Sequence, residues 1–332
     1  MPDSSAIASL DAHTRRIYEP VMDGLAQVER GLHGLAISSP LDIRELLTYA
    51  LGDKGKRIRP AITLLAANLR PHQKQPVVLM ATAIELLHLA TLLHDDAVDD
   101  STLRRGRATV SKNWGGNIAV LLGDYVFGVS AVYVCDTRNV QAIRAFAQTI
   151  RDLSHGQLLE YLRSFKWDQT RSDYNDRISC KTASLFRTAA QVGGILSDAP
   201  EEWVRTLASY GHNLGMAFQV VDDILDYEAK TEQVGKPVGN DLLHGIVTLP
   251  VIMLMEHNAE SNSIKQLFEE RAPQHLVAEV VEIVRSSGIL ERCYDIAEEY
   301  CNKAAENLQI LPDSPSRRSL EALTRFVVER RR

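Results

Sequence analysis

Long apolar segments with a helical period dominate the chain. The segment "PVVLMATAIELLHLATLLHDD" (residues 76–96) carries apolar residues on every face, and "VRTLASYGHNLGMAFQVVDDILDYE" (204–228) has the same character. Such segments are typical of buried helices. The segment "NVQAIRAFAQTIRDLSHGQLLEYLRSF" (139–165) is amphipathic and predicts a third long helix with one exposed face.

Helical patterns also fill most of the remaining chain, whereas alternating strand patterns are scarce. Clusters of Pro, Gly, Ser and Asp predict breaks at "SSPLD", "LRPHQKQP", "SDAPEE", "GKPVGND" and "LPDSP". None of these breaks is long enough for a linker between domains. The pattern therefore predicts a single all-α domain over residues 1–332, built from about a dozen helices. The further helices are expected at 6–31, 40–51, 58–69, 115–134, 171–194, 247–257, 273–287, 290–309 and 315–331.

Composition narrows the class of protein. The 332 residues are 45% hydrophobic and 24% charged, which is typical of a globular protein. The net charge of −6 offers no basic face for nucleic acid. The N-terminus lacks the apolar core of a signal peptide, we judge no apolar run long enough to span a membrane, and the four cysteines form no Cys-x-x-Cys pair. We therefore expect a cytoplasmic protein without a transmembrane segment.

Two acidic motifs of the form Asp-Asp-x-x-Asp follow apolar helical runs. In a helix, Asp95 and Asp99 share one face, and so do Asp222 and Asp226. Like charges at this spacing destabilise a helix, most of all near its C-terminus and in a partly buried position. A solvated acidic cap would explain one cluster, but two matching clusters make that explanation weak. We therefore expect a positively charged group beside these carboxylates.

Magnesium fits these carboxylates best. It takes one or two carboxylates and completes its octahedron with water and phosphate oxygens. The spacing of a calcium loop is absent, and so is the His-Glu-x-x-His motif of a zinc site. If the two clusters faced each other across a cavity, they would form a cage for several Mg²⁺ ions bridged by a diphosphate.

Basic residues supply a second, metal-free anion site. The segment "GDKGKRIRP" lacks the glycine spacing of a P-loop but carries several cations. Each cation alone is more often an ordinary surface residue, yet several near phosphate chemistry would bind an anion together. The candidates are Lys54, Lys56, Arg57, Arg59, Arg104, Arg105, Lys181 and Lys236.

Taken together, the motifs resemble those of the trans-prenyltransferases, also called isoprenyl or polyprenyl diphosphate synthases. The resemblance rests on the two Asp motifs, "GKRIRP", "RRG", "KTASLF", "GMAFQVVDDILDY" and "GKPVGNDLLHGIVTLP", in the family's order between residues 52 and 250. It implies one large helical bundle, the type I isoprenoid synthase fold, with a central apolar cavity. It also implies head-to-tail elongation: an allylic diphosphate held through three Mg²⁺ ionises, isopentenyl diphosphate attacks its C1, and proton loss regenerates a longer allylic diphosphate.

The resemblance assigns roles position by position. Metal binding falls to Asp95, Asp96, Asp99, Asp222, Asp223 and Asp226. Isopentenyl diphosphate binding falls to Lys56, Arg59, His88 and Arg105; allylic diphosphate binding to Arg104, Lys181 and Lys236; and the reaction centre to Lys181, Thr182 and Gln219. One position departs from the family: Ile246 stands where many members have a lysine, so one phosphate or metal-linked contact is in doubt.

Product length is expected to depend on the helical face upstream of Asp95. Short-chain members of the family place Phe or Tyr where this chain has Ala90 and Thr91, so the floor of the cavity is open here. The next candidates lining the path are Leu87, Leu86, Ala83 and, on another helix, Phe146, all of which also suit plain core packing. We expect a product around C30–C40.

Alternatives stay open at this point. They are a shorter-chain farnesyl or geranylgeranyl diphosphate synthase, and a class I terpene cyclase or head-to-head synthase, although a cyclase would have Asn, Ser and Glu in its second metal motif and no need of "GKRIRP". By resemblance we expect a homodimer, with a transient membrane contact for product release. The chain could also be one half of a heteromer.

Overall fold

The computed structural model describes residues 10–52, 55–228, 238–257 and 262–329, and almost all of them are helical. The predicted all-α fold is confirmed. The helices are α1 (Ala12–Tyr18), α2 (Met22–Ser38), α3 (Leu41–Leu51), α4 (Ile58–Ala67), α5 (Lys74–Val98), α6 (Val110–Trp114), α7 (Gly116–Asp136), α8 (Val140–Arg163), α9 (Arg171–Ile178), α10 (Ser184–Leu196), α11 (Glu201–Glu228), α12 (Asn240–Leu243), α13 (Leu249–His257), α14 (Asn262–Glu269), α15 (Gln274–Ser286), α16 (Ile289–Asn307) and α17 (Pro315–Glu329).

The three long predicted helices correspond to α5, α8 and α11. Two other predicted helices are interrupted. The run at 6–31 changes to a short 3₁₀ turn at Glu19–Val21, because Pro20 has no N–H to continue the helical ladder. The run at 171–194 contains a π-helical segment, Ser179–Ala183. The short helices α6, α12 and α14 were not predicted, since four to eight residues show too little periodicity.

The chain divides into two compact units, each made of several segments. The first comprises Met1–Gln148, Leu185–Gly211 and Asn307–Leu323, and the second comprises Thr149–Ser184, His212–Glu306 and Thr324–Arg332. A single domain over 1–332 and a central cavity remain predictions.

Helix α5 lies at the centre of the first unit, where it packs against α2, α4 and α7. Its apolar residues point in all directions because it has neighbours on several sides. It approaches α7 most closely at Gly123, where an added Cβ would lie 2.3 Å from the His94 ring. Only glycine fits there, so the end of α5 that carries the first Asp cluster is fixed against α7.

A small hairpin follows α5 in the first unit. Strands β1 (Leu103–Arg104) and β2 (Arg107–Ala108) are antiparallel, with Arg104 opposite Arg107. The two turn residues, Arg105 (φ 50°) and Gly106 (φ 76°), both have positive φ, as in a type I′ turn. The turn begins directly after Arg104, so the two consecutive arginines lie in different backbone conformations.

Two helices are long and apolar enough to cross a membrane by length and composition, which corrects the expectation that no run reaches that length. Helix α5 is explained by its place in the core, because 67% of its most apolar window is buried. Only 33% of the corresponding window of α7 is buried. The cytoplasmic location and the membrane contact for product release stay predictions.

Candidate active site

The first acidic cluster lies at the C-terminal end of α5. The N–H of Asp99 donates to the carbonyl of Asp95 at 2.9 Å, so these two residues occupy one face of the last helical turn, as predicted. Asp96 points elsewhere and is only 5% exposed. Its Oδ1 accepts from Arg104, at 2.9 Å from Nε and 2.8 Å from Nη2. The middle aspartate therefore positions an arginine.

Two clefts lie beside this cluster in the first unit. One cleft is lined by His88 and Arg105, among others. A second cleft is lined by Asp96 and Arg104. They share the apolar residues Ala50, Leu89 and Leu92. The hairpin thus places Arg104 and Arg105 in different, adjoining clefts.

The basic segment before α4 is held in place by its neighbours. The carbonyl of Lys56 accepts from the buried Tyr18 hydroxyl at 3.0 Å. The Arg59 guanidinium lies 4.4 Å from the centre of the Phe186 ring, a cation–π contact. Burial, together with the positive charge of Arg59 and Arg105, holds the pKa of His88 well below its usual value. His88 is therefore a neutral hydrogen-bonding group at neutral pH.

The second acidic cluster lies in the last turns of α11, in the second unit. Asp222 is exposed. Asp223 is 3% exposed and accepts from the Tyr174 hydroxyl and from Gln219 Nε2, both at 2.7 Å. The two carboxylate oxygens of Asp226 accept from the backbone N–H groups of residues 240 and 241, each at 3.1 Å. Only Asp222 of the three is directed towards solvent.

Asp241 extends this cluster and was missed in the sequence analysis. Burial and the charge of Asp241 raise the pKa values of Asp223 and Asp226 to about 8. Burial, then Glu160 and Asp222, raise the pKa of Asp241 itself to about 6. The only signal in the sequence was its place inside the quoted motif "GKPVGND". The acidic groups of this cluster repel one another when they are ionised. A bound cation would reduce this repulsion.

Lys181 and Thr182, which are predicted to belong to the reaction centre, lie on the π-helical segment Ser179–Ala183. Such segments often occur at functional sites, because the extra residue redirects side chains. Thr182 Oγ1 donates to Gln219 Oε1 at 2.6 Å, and Gln219 in turn donates to Asp223. Three of the predicted residues are thus joined by hydrogen bonds. Lys181 forms an ion pair with Glu160, a partner that the sequence did not indicate.

Backbone contacts hold Ile246, the residue that stands where many members of the family have a lysine. The N–H of Ile246 donates to the carbonyl of Asp241 at 2.8 Å, which holds this residue beside the acidic cluster. Gly245 has a φ of 71°, and an added Cβ would lie 2.6 Å from the Phe165 ring.

Lys54 and Lys236, both predicted anion ligands, lie outside the described residues.

The residues expected to set chain length belong to the core. Ala90 is 1% exposed and Leu87 is 2% exposed. Thr91 is partly buried, and its hydroxyl donates to the carbonyl of His88 at 2.8 Å. Leu86, Ala83 and Phe146 are buried too. Their role in chain length stays a prediction.

Across the described part of the chain, no three His, Cys, Asp or Glu side chains converge on a closed metal site. An ion bound by one or two carboxylates and a diphosphate does not require such a site. The donor set, all carboxylate oxygen, suits Mg²⁺. The assignment of individual metal ligands stays a prediction.

Comparison with known proteins identifies the family. The family model for polyprenyl synthetase matches residues 41–284. The chain belongs to the polyprenyl synthetase family. The prediction of a trans-prenyltransferase of the medium- or long-chain type is thereby confirmed, and the alternatives of a shorter-chain synthase and a terpene cyclase are less supported.

Three relatives illustrate this membership. The chain is 35% identical over 316 residues to "Heptaprenyl diphosphate synthase component 2" of Geobacillus stearothermophilus, covering 95% of this chain and 98% of the relative. It is 38% identical over 292 residues to the octaprenyl diphosphate synthase of Escherichia coli K12, covering 87% and 90%. The crystal structure of a polyprenyl synthase from Caulobacter crescentus, complexed with calcium and isoprenyl diphosphate, matches with a TM-score of 0.90 at 32% identity, covering 96% and 98%.

Proposed function

We propose that this polyprenyl synthetase elongates an allylic diphosphate with isopentenyl diphosphate to a product of around C30–C40. The observation that carries the proposal is the separation of Arg104 and Arg105 into two clefts. Two diphosphate substrates must bind at once in such a condensation, and each needs its own cations. The relatives named as heptaprenyl and octaprenyl diphosphate synthases support the length range.

We propose that each acidic cluster binds Mg²⁺ when the allylic diphosphate is bound. Asp95 and Asp99 offer a pair of carboxylates on one helical face, and Asp222 offers an exposed carboxylate beside the acidic residue Asp241. Mg²⁺, when bound, neutralises the charge that develops on the leaving diphosphate. Three ions per site is the count implied by the family. The relative crystallised with calcium and isoprenyl diphosphate supports a divalent ion beside a diphosphate.

Asp96 in the first cluster, and Asp223 and Asp226 in the second, contact other groups of the protein. Each accepts hydrogen bonds from other protein groups, so each fixes the shape of the cluster. We propose that Asp96 aims Arg104 at the allylic diphosphate, and that Asp226 anchors the start of α12. Both carboxylates can still add negative charge near the metal ions.

We propose that Lys56, Arg59, His88 and Arg105 bind isopentenyl diphosphate without metal. The three cations supply charge, and the neutral His88 supplies a hydrogen bond. Lys181 would reach the allylic diphosphate after releasing Glu160, its partner in the present structure. The hydrogen bonds through Gln219 hold the polar groups of the reaction centre in one orientation, which removes the cost of reorganising them during the reaction.

We propose that the chain forms a homodimer through α7. Leu121, Tyr125 and Val132 lie on one face of this helix and are 64%, 36% and 58% exposed. Gly128 belongs to the same face, and an added Cβ there meets no atom within 4 Å. A long apolar face of this kind marks an interaction surface. A second copy offers the same face, as a two-fold dimer requires.

A second candidate is the catalytic component of a two-component synthase. The relative named "component 2" favours it. The two candidates differ in whether the lone chain is active. We expect the purified chain to elongate an allylic primer by itself.

The test is an assay of the purified chain with Mg²⁺, labelled isopentenyl diphosphate and primers of C5 to C20, followed by sizing of the products. We expect all-trans products around C30–C40. No elongation of any primer would contradict the homomeric synthase. Activity that survives complete chelation of divalent metal would contradict the proposed role of the acidic clusters.

A further inference from the structure

Arg57 stands between Lys56 and Arg59 in the sequence, but its side chain points into the first unit. The side chain is only 10% exposed. Its Nε donates to Glu29 Oε1 at 2.6 Å, and its Nη1 donates to Glu85 Oε1 at 2.8 Å. Glu29 belongs to α2 and Glu85 to α5, so one guanidinium joins two helices to the start of a third.

Glu29, Arg57 and Glu85 form a charged triad. Its charge balance argues against a role of Arg57 in anion binding. Two carboxylates and one guanidinium carry a formal charge of −1, and Glu29 Oε2 has no hydrogen-bond partner. Burial alone would lower the pKa of Arg57, but Glu85 and Glu29 outweigh it and raise the pKa above its usual value. A guanidinium already neutralised by two carboxylates attracts a phosphate weakly.

The backbone at Arg57 shows what the triad does hold. Arg57 is the residue before α4 and has a φ of 52°, in the left-handed region. This conformation is uncommon for residues other than glycine and persists where surrounding contacts enforce it. The two ion pairs are such contacts. The hydrogen bond from Tyr18 to the Lys56 carbonyl fixes the preceding residue as well.

Two members of the triad also lie beside the groups proposed to bind isopentenyl diphosphate. Arg57 and Glu85 line the same cleft as His88 and Arg105. Glu85 lies one turn before His88 on α5. The loop approaches Arg105 closely, since an added Cβ at Gly55 would lie 2.9 Å from Arg105 Nη1. A shift of the Arg57 backbone would therefore move Lys56 and Arg59, which flank it at the start of α4.

We infer that Glu29 and Glu85 are positioning residues for the isopentenyl diphosphate site, acting through Arg57 to place Lys56 and Arg59. This inference rests on the proposed function. It separates the three cations of "GKRIRP": two bind the substrate, and the middle one holds the loop. The charge pattern of the sequence makes all three candidate anion ligands, and the resemblance assigns only Lys56 and Arg59 to the substrate.

The variants Glu85→Gln and Glu29→Gln test the inference, because each keeps the shape of the side chain and removes its charge. We expect either variant to raise the KM for isopentenyl diphosphate about tenfold and to change the KM for the allylic primer less than about twofold. We also expect the Kd of isopentenyl diphosphate, measured by calorimetry without divalent metal, to rise by the same factor. Arg57→Lys, which keeps the charge, should give a smaller increase.

Glu201→Gln is the matched control, since it breaks the surface ion pair with Arg205 and should leave all three constants unchanged. If Glu85→Gln does not fold, Glu29→Gln carries the test. Variants that lose thermal stability but keep the wild-type Kd for isopentenyl diphosphate would overturn the inference, as would an equal rise in both KM values. A wild-type chain that elongates no primer would instead overturn the proposed function, and the inference with it.

Discussion

Arg104 contacts Asp96 through two guanidinium nitrogens that meet the same carboxylate oxygen, at 2.9 Å and 2.8 Å. Asp96 is the middle residue of the first acidic motif, and it is buried, whereas Asp95 and Asp99 on either side of it are partly exposed. The motif thus contains two kinds of aspartate. One kind is partly exposed at the end of α5, and the other is buried against a cation of the protein, Arg104.

We expect Asp96→Asn to raise the KM for the allylic primer about fivefold to tenfold, because the amide keeps the shape but weakens the contact that aims Arg104. The KM for isopentenyl diphosphate should not change. Steady-state kinetics with each substrate varied in turn measures both values. Asp100→Asn, a neighbouring exposed residue, is the control. If Asp96→Asn mainly raises the Mg²⁺ concentration needed for half-maximal activity, Asp96 is a metal ligand instead.

We expect Asp222→Asn to lower kcat/KM on the order of 10²-fold, because it removes an exposed carboxylate from the proposed metal site. Complete chelation of divalent metal should abolish activity in the wild-type chain. Asp198→Asn makes the same chemical change at another exposed position and should leave kcat/KM unchanged. If Asp222→Asn kept wild-type activity at limiting Mg²⁺, Asp222 would not be a metal ligand.

We expect Ala90→Phe to shorten the product, because a ring at this position would close the path proposed for the growing chain. Ala90→Val should shorten it less. Ala81→Val places the same side chain on the opposite face of α5, so it should lower stability by overpacking and leave product length unchanged. Sizing the labelled products measures the effect. A parental product from Ala90→Phe would show that Ala90 does not line the path.

We expect Leu121→Glu to convert the dimer into a monomer, because it buries a charge in the proposed interface on α7. Ile310→Glu introduces the same change at another exposed apolar residue, 52% exposed, and should leave the dimer intact. Sedimentation velocity distinguishes the two states. A wild-type chain that sediments as a monomer would contradict the proposed interface directly.

We expect Asp173→Asn to destabilise the protein at neutral pH and to have little effect near pH 2. The Thr170 backbone N–H, the Thr170 hydroxyl and Arg163 lower the pKa of Asp173 to about 2. A lowered pKa in the folded state means that the stabilisation is present above the unfolded value of about 3.9 and is lost as the pH falls through about 2.

The Tm of the wild-type chain and of the Asp173→Asn variant, compared at pH 6 and at low pH, measures this difference. Asp176→Asn on the same helix is the control. A difference in Tm between variant and wild type that does not depend on pH would show that the ionised carboxylate is not the source of the stabilisation.

The sequence by itself determined the all-α fold and the pairing of aspartates on helical faces, because both follow from the local 3.6-residue period. Tertiary structure alone decided which aspartate meets which partner. Asp223 bonds to Tyr174, 49 residues away, and Arg57 bonds to glutamates 28 residues away on either side. Periodicity carries no information about such contacts, since they depend on how separate helices pack. For the same reason, the sequence pattern presented Arg57 as one more cation of a basic loop, and only the tertiary structure places it in ion pairs with Glu29 and Glu85.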